Sequence, residues 1–267
     1  LYTASDGTIW VGSYAGIIKI GSKGYSLYDA NLEENLPNNR NYNFYEDINN
    51  NIWITCWGGL AKYDTKKNSF IEFEHQDKLA KYHFRNVLIN GDLIFLATEK
   101  NGLIIFNQIN GNIEKIDASK GLSGNSVYHI TRDSNSENYW ISTLGGISIY
   151  HLDKGVFKTI TEANNLPSHM VYSVLQSKDK FWASTTKGIV AINAGTYEIY
   201  KIPIDYGLQD NEFSEGAFYK APEETLYYGG ISGLNYFQPN SYVINNPTPN
   251  IKLLVDGQEN FSKKLVK

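Results

Sequence analysis

The stretch NYWISTLGGISIY, residues 138–150, consists of two apolar runs on either side of a glycine pair. It closely matches NIWITCWGGLAKY at residues 51–63, and KFWASTTKGIVAI at residues 180–192 is a looser copy. Each copy predicts two β-strands joined by a tight turn, because glycine accepts the positive φ angles that such turns often need. Repetition of this unit favours an architecture of stacked copies over a single catalytic site.

Two sets of residues, which we call ladders, recur along the chain with the same period. The last glycine of each turn recurs at intervals of 42 to 45 residues, at Gly16, Gly59, Gly102, Gly146, Gly188 and Gly233. An aromatic residue stands six positions earlier in most copies, at Trp10, Trp53, Trp140, Trp182 and Tyr227, and seven positions earlier in the third copy, at Phe95. A leucine recurs with the same spacing, at Leu36, Leu79, Leu122, Leu166 and Leu208. Two ladders with a common period predict a repeat protein.

Each repeat predicts four strands, which we call A to D. Strand A follows the ladder leucine, strand B carries the tryptophan, strand C follows the glycine turn, and strand D closes the unit. A period of 40–45 residues with four strands per unit is typical of β-propellers. We therefore predict an all-β fold, a β-propeller of four-stranded antiparallel blades. The six visible repeats form either six blades or part of a seven-bladed propeller, with the tryptophans packed between blades.

The composition limits the classes of ligand. The 267 residues carry a net charge of −4, with an isoelectric point near 5.8, which argues against nucleic acid as a partner. The one cysteine, Cys56, excludes an internal disulfide and is expected to be buried. The five histidines lack the spacing of paired metal ligands, so we predict neither a metal nor a cofactor. No apolar run approaches the roughly 20 residues of a membrane-spanning helix.

The segment DGTIWVGSYAGI, residues 6–17, and its later copies resemble the two-component regulator propeller repeat. This resemblance implies a non-catalytic sensor module in the periplasmic part of a hybrid two-component system, whose parent chain is a histidine kinase. The implied ligand is an oligosaccharide, which could be acidic. The other implied partners are a neighbouring propeller and an Ig-like domain of the same chain, and a second copy in a homodimer. The membrane is reached only through the parent's transmembrane span.

The end of the chain extends the resemblance. Residues 207–242 resemble the closing blade of such a propeller, and residues 245–261 resemble the entry into the following three-tyrosine Ig-like domain. We therefore predict a propeller over residues 1–244, and a linker with the first strand of a truncated Ig-like domain over residues 245–267. The stretch IKLLVDG would be that single strand. Because propellers of this family generally have seven blades, a further blade is expected upstream of Leu1.

In a four-stranded blade, the loops from D to A and from B to C open on one face, and strand A lines the central channel. Loops on a rigid scaffold commonly carry function. The candidate ligand-binding residues on this face are Asn39, Arg40, Trp57, Arg85, Lys100, Asn125, His169, Lys187, Asn211 and Glu212. Each could instead be a solvated loop residue. The three asparagines and His169 share one slot, three positions after the ladder leucine, and could cap the turn there.

Two other functions remain open at this stage. The first is a propeller enzyme acting on polysaccharide, either a lyase or a sialidase-like hydrolase. A sialidase needs three arginines around one carboxylate, but Arg40, Arg85 and Arg132 stand at unequal distances from strand B, so convergence is not expected. The second is a protein-interaction propeller, which predicts a broad apolar face and no pocket.

Overall fold

The computed structural model describes residues 1–239, together with the backbone of two short strands, Leu253–Val255 and Gln258–Asn260. Within residues 1–239 the chain forms six consecutive antiparallel sheets, the blades of a six-bladed β-propeller. The predicted fold class is therefore confirmed. The expected blade upstream of Leu1 concerns residues outside this chain.

The first three blades each contain four strands in chain order. The first blade comprises β1 (Tyr2–Thr3), β2 (Ile9–Ser13), β3 (Gly16–Gly21) and β4 (Gly24–Tyr28). The second comprises β5 (Asn41–Glu46), β6 (Ile52–Cys56), β7 (Gly59–Asp64) and β8 (Ser69–Ile71). The third comprises β9 (Phe84–Asn90), β10 (Leu93–Thr98), β11 (Leu103–Asn107) and β12 (Ile113–Ile116).

The fourth and fifth blades follow the same plan, and the sixth has three strands among the described residues. The fourth blade comprises β13 (Val127–Arg132), β14 (Asn138–Thr143), β15 (Gly146–His151) and β16 (Gly155–Ile160). The fifth comprises β17 (Val171–Ser177), β18 (Lys180–Thr185), β19 (Gly188–Asn193) and β20 (Ile199–Lys201). The sixth comprises β21 (Phe213–Lys220), β22 (Leu226–Gly230) and β23 (Gly233–Phe237).

Between the blades of the described part of the chain, helical structure takes the form of short turns. Four 3₁₀ turns span Gln76–Leu79, Ala118–Lys120, Glu162–Asn164 and Ile204–Tyr206. Among the residues that the structure describes, no helix has the length and apolar character needed to cross a bilayer.

The ladder aromatics pack between neighbouring blades, as predicted. Trp140 of the fourth blade is 1% exposed and stacks on Phe181 of the fifth, with ring centroids 3.8 Å apart. Phe95 replaces tryptophan in the third blade and stacks on Tyr139 of the fourth at 4.1 Å. Phe95 stands seven rather than six positions before the turn glycine, and the extra residue lies in a longer turn. Four residues separate β10 from β11, whereas two separate β2 from β3. The same buried core therefore tolerates a different turn.

The last ladder aromatic behaves differently. Tyr227 is only partly buried and stacks on Tyr236 of the adjacent strand at 5.7 Å. Its neighbour Tyr228 is fully buried and donates a hydrogen bond to the Trp182 carbonyl of the fifth blade. Because successive side chains of a strand point to opposite faces, Tyr227 lies on the face turned away from the fifth blade. Tyrosine suits this half-exposed position, where tryptophan would leave more apolar surface in water.

The glycine turns hold the loops of one face together. The backbone N–H of Gly16 donates to the Asn39 carbonyl at 3.1 Å, and Gly102 and Gly188 make the same bond to Asn125 and Asn211 at 2.8 and 2.6 Å. Each bond joins a B-to-C turn to the following D-to-A loop. The two loop types therefore lie on one face, as predicted.

Two further predictions meet different outcomes. Cys56 is buried, and this burial raises the pKa of its thiol to about 12. The strand predicted in IKLLVDG forms at β24 (Leu253–Val255), but it does not stand alone as expected, because β25 (Gln258–Asn260) pairs with it antiparallel. Asp-Gly stands between them in the sequence, a common two-residue hairpin connection. The predicted boundary at residues 244–245 and the linker lie outside the described residues.

Candidate functional site

One position of strand A builds a ring of side chains around the mouth of the channel. The second residue of β5, β9, β13 and β17 is Tyr42, Arg85, Tyr128 and Tyr172 respectively, each six positions after a ladder leucine. The rings of Tyr128 and Tyr172 meet edge to face with centroids 5.3 Å apart. The Arg85 guanidinium lies 4.5 Å from the centre of the Tyr128 ring. Arg85 thus stands at a position that is tyrosine in the second, fourth and fifth blades.

The inner strand of the sixth blade bulges into the channel. Phe213 pairs with Gly230 and Phe218 pairs with Tyr228, so β21 has three more residues than β22 between these pairs. Gly216, within the bulge, has a φ of 71°, which glycine adopts without steric cost. Bulges of this kind re-aim side chains next to functional sites. Here the bulge presents Glu215 to the channel.

The bulged strand and a long turn supply two carboxylates to Arg85. The Nη1 of Arg85 donates to Oε1 of Glu215 at 2.7 Å, and its Nη2 lies 3.8 Å from Oε1 of Glu99. Glu99 belongs to the extended turn between β10 and β11. Burial of the Glu215 carboxylate in the channel raises its pKa, and the Arg85 charge offsets only part of this effect.

A second arginine sits in an aromatic cage beside this ion pair. The Arg40 guanidinium lies 4.1 Å from the ring centre of Trp57, 4.7 Å from Tyr14 and 5.4 Å from Tyr42. Trp57 in turn stacks on His83, with centroids 4.0 Å apart. Cation–π contacts of this kind hold a guanidinium in place without neutralising its positive charge.

The Arg85–Glu215 pair lies beside a cavity of about 640 Å³ at the channel mouth, and Arg40 borders this cavity through its contacts with the lining residues Tyr14 and Tyr42. Its lining includes Tyr14, Tyr42, Asn43, Arg85, Tyr128 and Glu215. Four buried polar atoms nearby, Nε of Arg40, Nδ1 of His83, Nε of Arg85 and Oε2 of Glu99, have no hydrogen-bond partner in the described part of the chain. Because buried polar groups are normally paired, such a concentration makes this region the candidate site.

Three of the predicted site residues therefore come together: Arg40, Trp57 and Arg85. Two of the predicted asparagines have the alternative, capping role. Oδ1 of Asn39 accepts the backbone N–H of Ala30 at 2.7 Å, and Oδ1 of Asn125 accepts that of Ala118 at 2.8 Å. Both amides thus shape the loops that frame the mouth.

Of the predicted residues only Arg85 belongs to the cavity lining, and five others are exposed on the surface. His169 and Lys187 are exposed and share Glu162, at 3.7 and 3.9 Å. Three others, Lys100, Asn211 and Glu212, are exposed loop residues. Through its backbone carbonyl, Asn211 accepts the Gly188 N–H, a structural contact.

Sequence reasoning missed the ring tyrosines, His83, Glu99 and Glu215. A usable signal existed for the tyrosines, because Tyr42, Tyr128 and Tyr172 recur at a fixed distance from the ladder leucine. No comparable signal marked Glu215, because the bulge that presents it breaks the repeat register.

Two chemical classes were tested against this geometry. Within the described residues, no group of three or more His, Cys, Asp or Glu side chains could hold a metal ion. The three arginines of a sialidase-like site do not converge. Arg132 is the last residue of β13, where strand A leads into the A-to-B turn, and there it contacts Asn90 and Glu137.

Comparison with known protein families identifies the family to which the chain belongs. Residues 66–266 match the family described as "Domain of unknown function (DUF5074)". The chain belongs to the DUF5074 family. Residues 35–58, from the leucine loop through strand β6 to the next turn, also match the family described as "Two component regulator propeller". This match confirms the resemblance predicted from the repeats.

This DUF5074 chain is also similar to longer proteins. It is 26% identical over 273 residues to histidine kinase P4 of Formosa agariphila, covering 93% of this chain and 19% of that protein. It superposes on the extracellular domain of the hybrid two component system BT3049 from B. thetaiotaomicron with 18% identity and a TM-score of 0.63, covering 98% of this chain and 43% of that one. An ancestral GH74 enzyme gives 14% identity and a TM-score of 0.69, covering 92% and 37%.

The chain thus spans about a fifth of the curated relative and less than half of each of these two solved chains. At 18% and 14% identity, the structural likenesses show a shared fold and nothing further.

Proposed function

We propose that this propeller is a non-catalytic sensor module of a hybrid two-component system, placed in the periplasm, that contributes an oligosaccharide-binding surface at its channel mouth. The single observation that carries the proposal is the cavity where the tyrosine ring, the Arg40 cage and the Arg85 ion pair meet. Aromatic faces offer stacking surfaces for sugar rings, and the polar groups between them offer hydrogen bonds to hydroxyls.

The relatives support the sensor part of the proposal. A histidine kinase and the extracellular domain of a hybrid two component system both align with nearly the whole chain. In such a receptor, bound ligand must favour one arrangement of domains, because equal affinity for both arrangements would transmit no signal. Its partners would be a neighbouring propeller and an Ig-like domain of the same parent chain, and a second copy in a homodimer.

An enzyme acting on polysaccharide is the second candidate. It is favoured by the likeness to the ancestral GH74 enzyme and by two carboxylates near one cavity. Against it, Glu99 and Glu215 both contact the same guanidinium. Glycoside hydrolysis generally needs two carboxyl groups on either side of the scissile bond, one of them protonated. A plain protein-interaction propeller predicted no pocket, and the 640 Å³ cavity argues against it.

The test is calorimetric titration of the 267-residue chain with a panel of purified oligosaccharides, alongside the Tyr128→Ala variant. We expect weak binding without turnover, which Tyr128→Ala abolishes because it removes a ring from the mouth. The matched control is Tyr25→Ala, since Tyr25 is 72% exposed on β4. Release of shorter sugars by the wild-type chain would favour the enzyme. Absence of binding across the panel, or equal loss in both variants, would contradict the proposed site.

A further inference from the structure

The charged side chains of the two arginines and two glutamates at the channel mouth balance one another. Arg40 and Arg85 contribute two positive charges, and Glu99 and Glu215 contribute two negative ones. These four side chains therefore add no net positive charge that would attract an incoming anion. This differs from sites built for acidic ligands, where unpaired arginines or lysines converge on the ligand charge.

The two members of the central ion pair are unequally exposed to the channel. The Arg85 side chain is 15% exposed, whereas that of Glu215 is 39% exposed. A ligand that enters the cavity thus meets the carboxylate before the guanidinium. To reach Arg85, an acidic group would have to displace Glu215 from its 2.7 Å bond and bring a second negative charge beside that carboxylate. Two negative groups held this close repel each other, and the displaced carboxylate loses its ion pair with Arg85.

The Arg40 side chain is also held in place by its contacts. Arg40 lies among three aromatic rings, and its Nε is buried. Moving it towards an anion would break those contacts. The surfaces left for a ligand are the faces and hydroxyls of the tyrosines, the exposed oxygens of Glu215 and the amide of Asn43. These groups both donate and accept hydrogen bonds, as sugar hydroxyls do.

We infer that the channel mouth selects uncharged, hydroxyl-rich glycans and rejects acidic ones, with the Arg85–Glu215 pair as the selecting element. This inference rests on the proposed function and specifies its ligand class. Glu215 accepts hydroxyl hydrogen bonds from a neutral sugar and repels a uronate or a sulfate. Arg85 serves as a positioning residue that holds the Glu215 carboxylate in the channel.

The experiment titrates the 267-residue chain with neutral hexasaccharides (xylo-, manno- and laminari-series) and with acidic ones (oligogalacturonate and oligoalginate) at fixed ionic strength. We expect at least one neutral series to bind about tenfold or more tightly than either acidic series. Tighter binding of an acidic series would overturn the inference but leave the proposed function standing. No binding by any series would overturn both.

A charge-neutralising variant provides an independent test. Glu215→Gln keeps the side-chain shape but leaves the mouth with one excess positive charge, so affinity for the acidic hexasaccharides should rise about tenfold, or about 1.4 kcal/mol. The matched control is Glu137→Gln, which removes the carboxylate of another arginine pair, 3.4 Å from Arg132 and outside the cavity lining. An unchanged acidic affinity in Glu215→Gln, or an equal gain in Glu137→Gln, would overturn the inference.

Discussion

Arg85 of the third blade and Glu215 of the sixth, 130 positions apart in the chain, form a 2.7 Å hydrogen-bonded ion pair at the mouth of the channel. The pair joins two blades that are not neighbours in the chain order, because the bulge in β21 brings Glu215 inward. It therefore links ligand recognition to the position of the last blade. This link can be examined through stability as well as binding.

Replacing Arg85 with methionine should destabilise the propeller. The substitution keeps much of the side-chain volume but leaves Glu99 and Glu215 without their shared cation, at a cost of about 1–3 kcal/mol in the free energy of unfolding. Chemical denaturation near neutral pH measures the loss. It should diminish as the pH falls and both carboxylates become protonated.

The control for this change is Arg132→Met. Arg132 is 43% exposed and pairs with an exposed carboxylate, so its loss should cost no more than about 0.5 kcal/mol. Equal effects in the two variants would show that the Arg85 pair contributes no more than an ordinary surface ion pair.

Gly146→Ala should be among the most damaging small substitutions. Gly146 has a φ of 122°, and an added Cβ would lie 2.3 Å from the Ile160 carbonyl oxygen. Strain and the forced shift together predict a loss of about 3 kcal/mol or more. Gly155→Ala is the comparison, because Gly155 also has a positive φ but has open space around it, and should cost about 1 kcal/mol. Similar unfolding midpoints for the two variants would refute the steric explanation.

Trp140→Ala should show how much one inter-blade contact contributes. The indole is buried against Phe181, and removing a fully buried aromatic side chain costs about 3–5 kcal/mol. The same truncation at Phe157, which is 42% exposed on β16, should cost less than about 1 kcal/mol. A small loss at Trp140 would mean that the blades hold together mainly through their loops.

His129 predicts a pH dependence of stability in mild acid. It is buried on β13, its Nδ1 accepts the Val174 N–H at 3.3 Å, and its ring lies 4.3 Å from that of Phe218. Burial lowers the pKa of this imidazole to about 4, below its ordinary 6.5. The stability gained from the neutral ring is thus full above pH 6.5 and is lost as the pH falls towards 4, by up to about 3 kcal/mol.

His129→Gln should flatten this part of the stability profile. Glutamine does not titrate, so unfolding curves collected from pH 7 to pH 4 should converge for the two proteins as the wild type loses its advantage. The control is His169→Gln, because His169 is exposed and near only Glu162. A wild-type profile unchanged by His129→Gln would exclude this histidine as the cause.

The periodic sequence was sufficient to predict the blades because every blade has the same packing and turn requirements. Trp53 and Trp182 must be buried between sheets, and Gly59 and Gly188 must turn with positive φ. These packing and turn requirements act within one repeat or between adjacent repeats, so the residues that meet them recur in the sequence. The capping role of Asn39 could be anticipated for the same reason.

The candidate site could be predicted only in part. Arg40 and Trp57 stand between strands where the repeats differ, and the sequence indicated them, whereas Arg85, also indicated, lies in strand β9 rather than in the predicted loop. The tyrosine ring was readable in the period but was not recognised. Glu99 and Glu215 depend on a lengthened turn and on a bulge, two departures from the repeat that change where a side chain points.

The sequence alone determined the strand order and the packing faces within each repeat, because these follow from residue spacing and burial, whereas the number of blades was left open at six or seven. Only the tertiary structure decided which side chains share the channel mouth. Closing six sheets around an axis brings residues 130 positions apart into contact, and no local pattern encodes that distance. The pairing of Arg85 with Glu215, and with it the charge of the cavity, is a property of the assembled propeller.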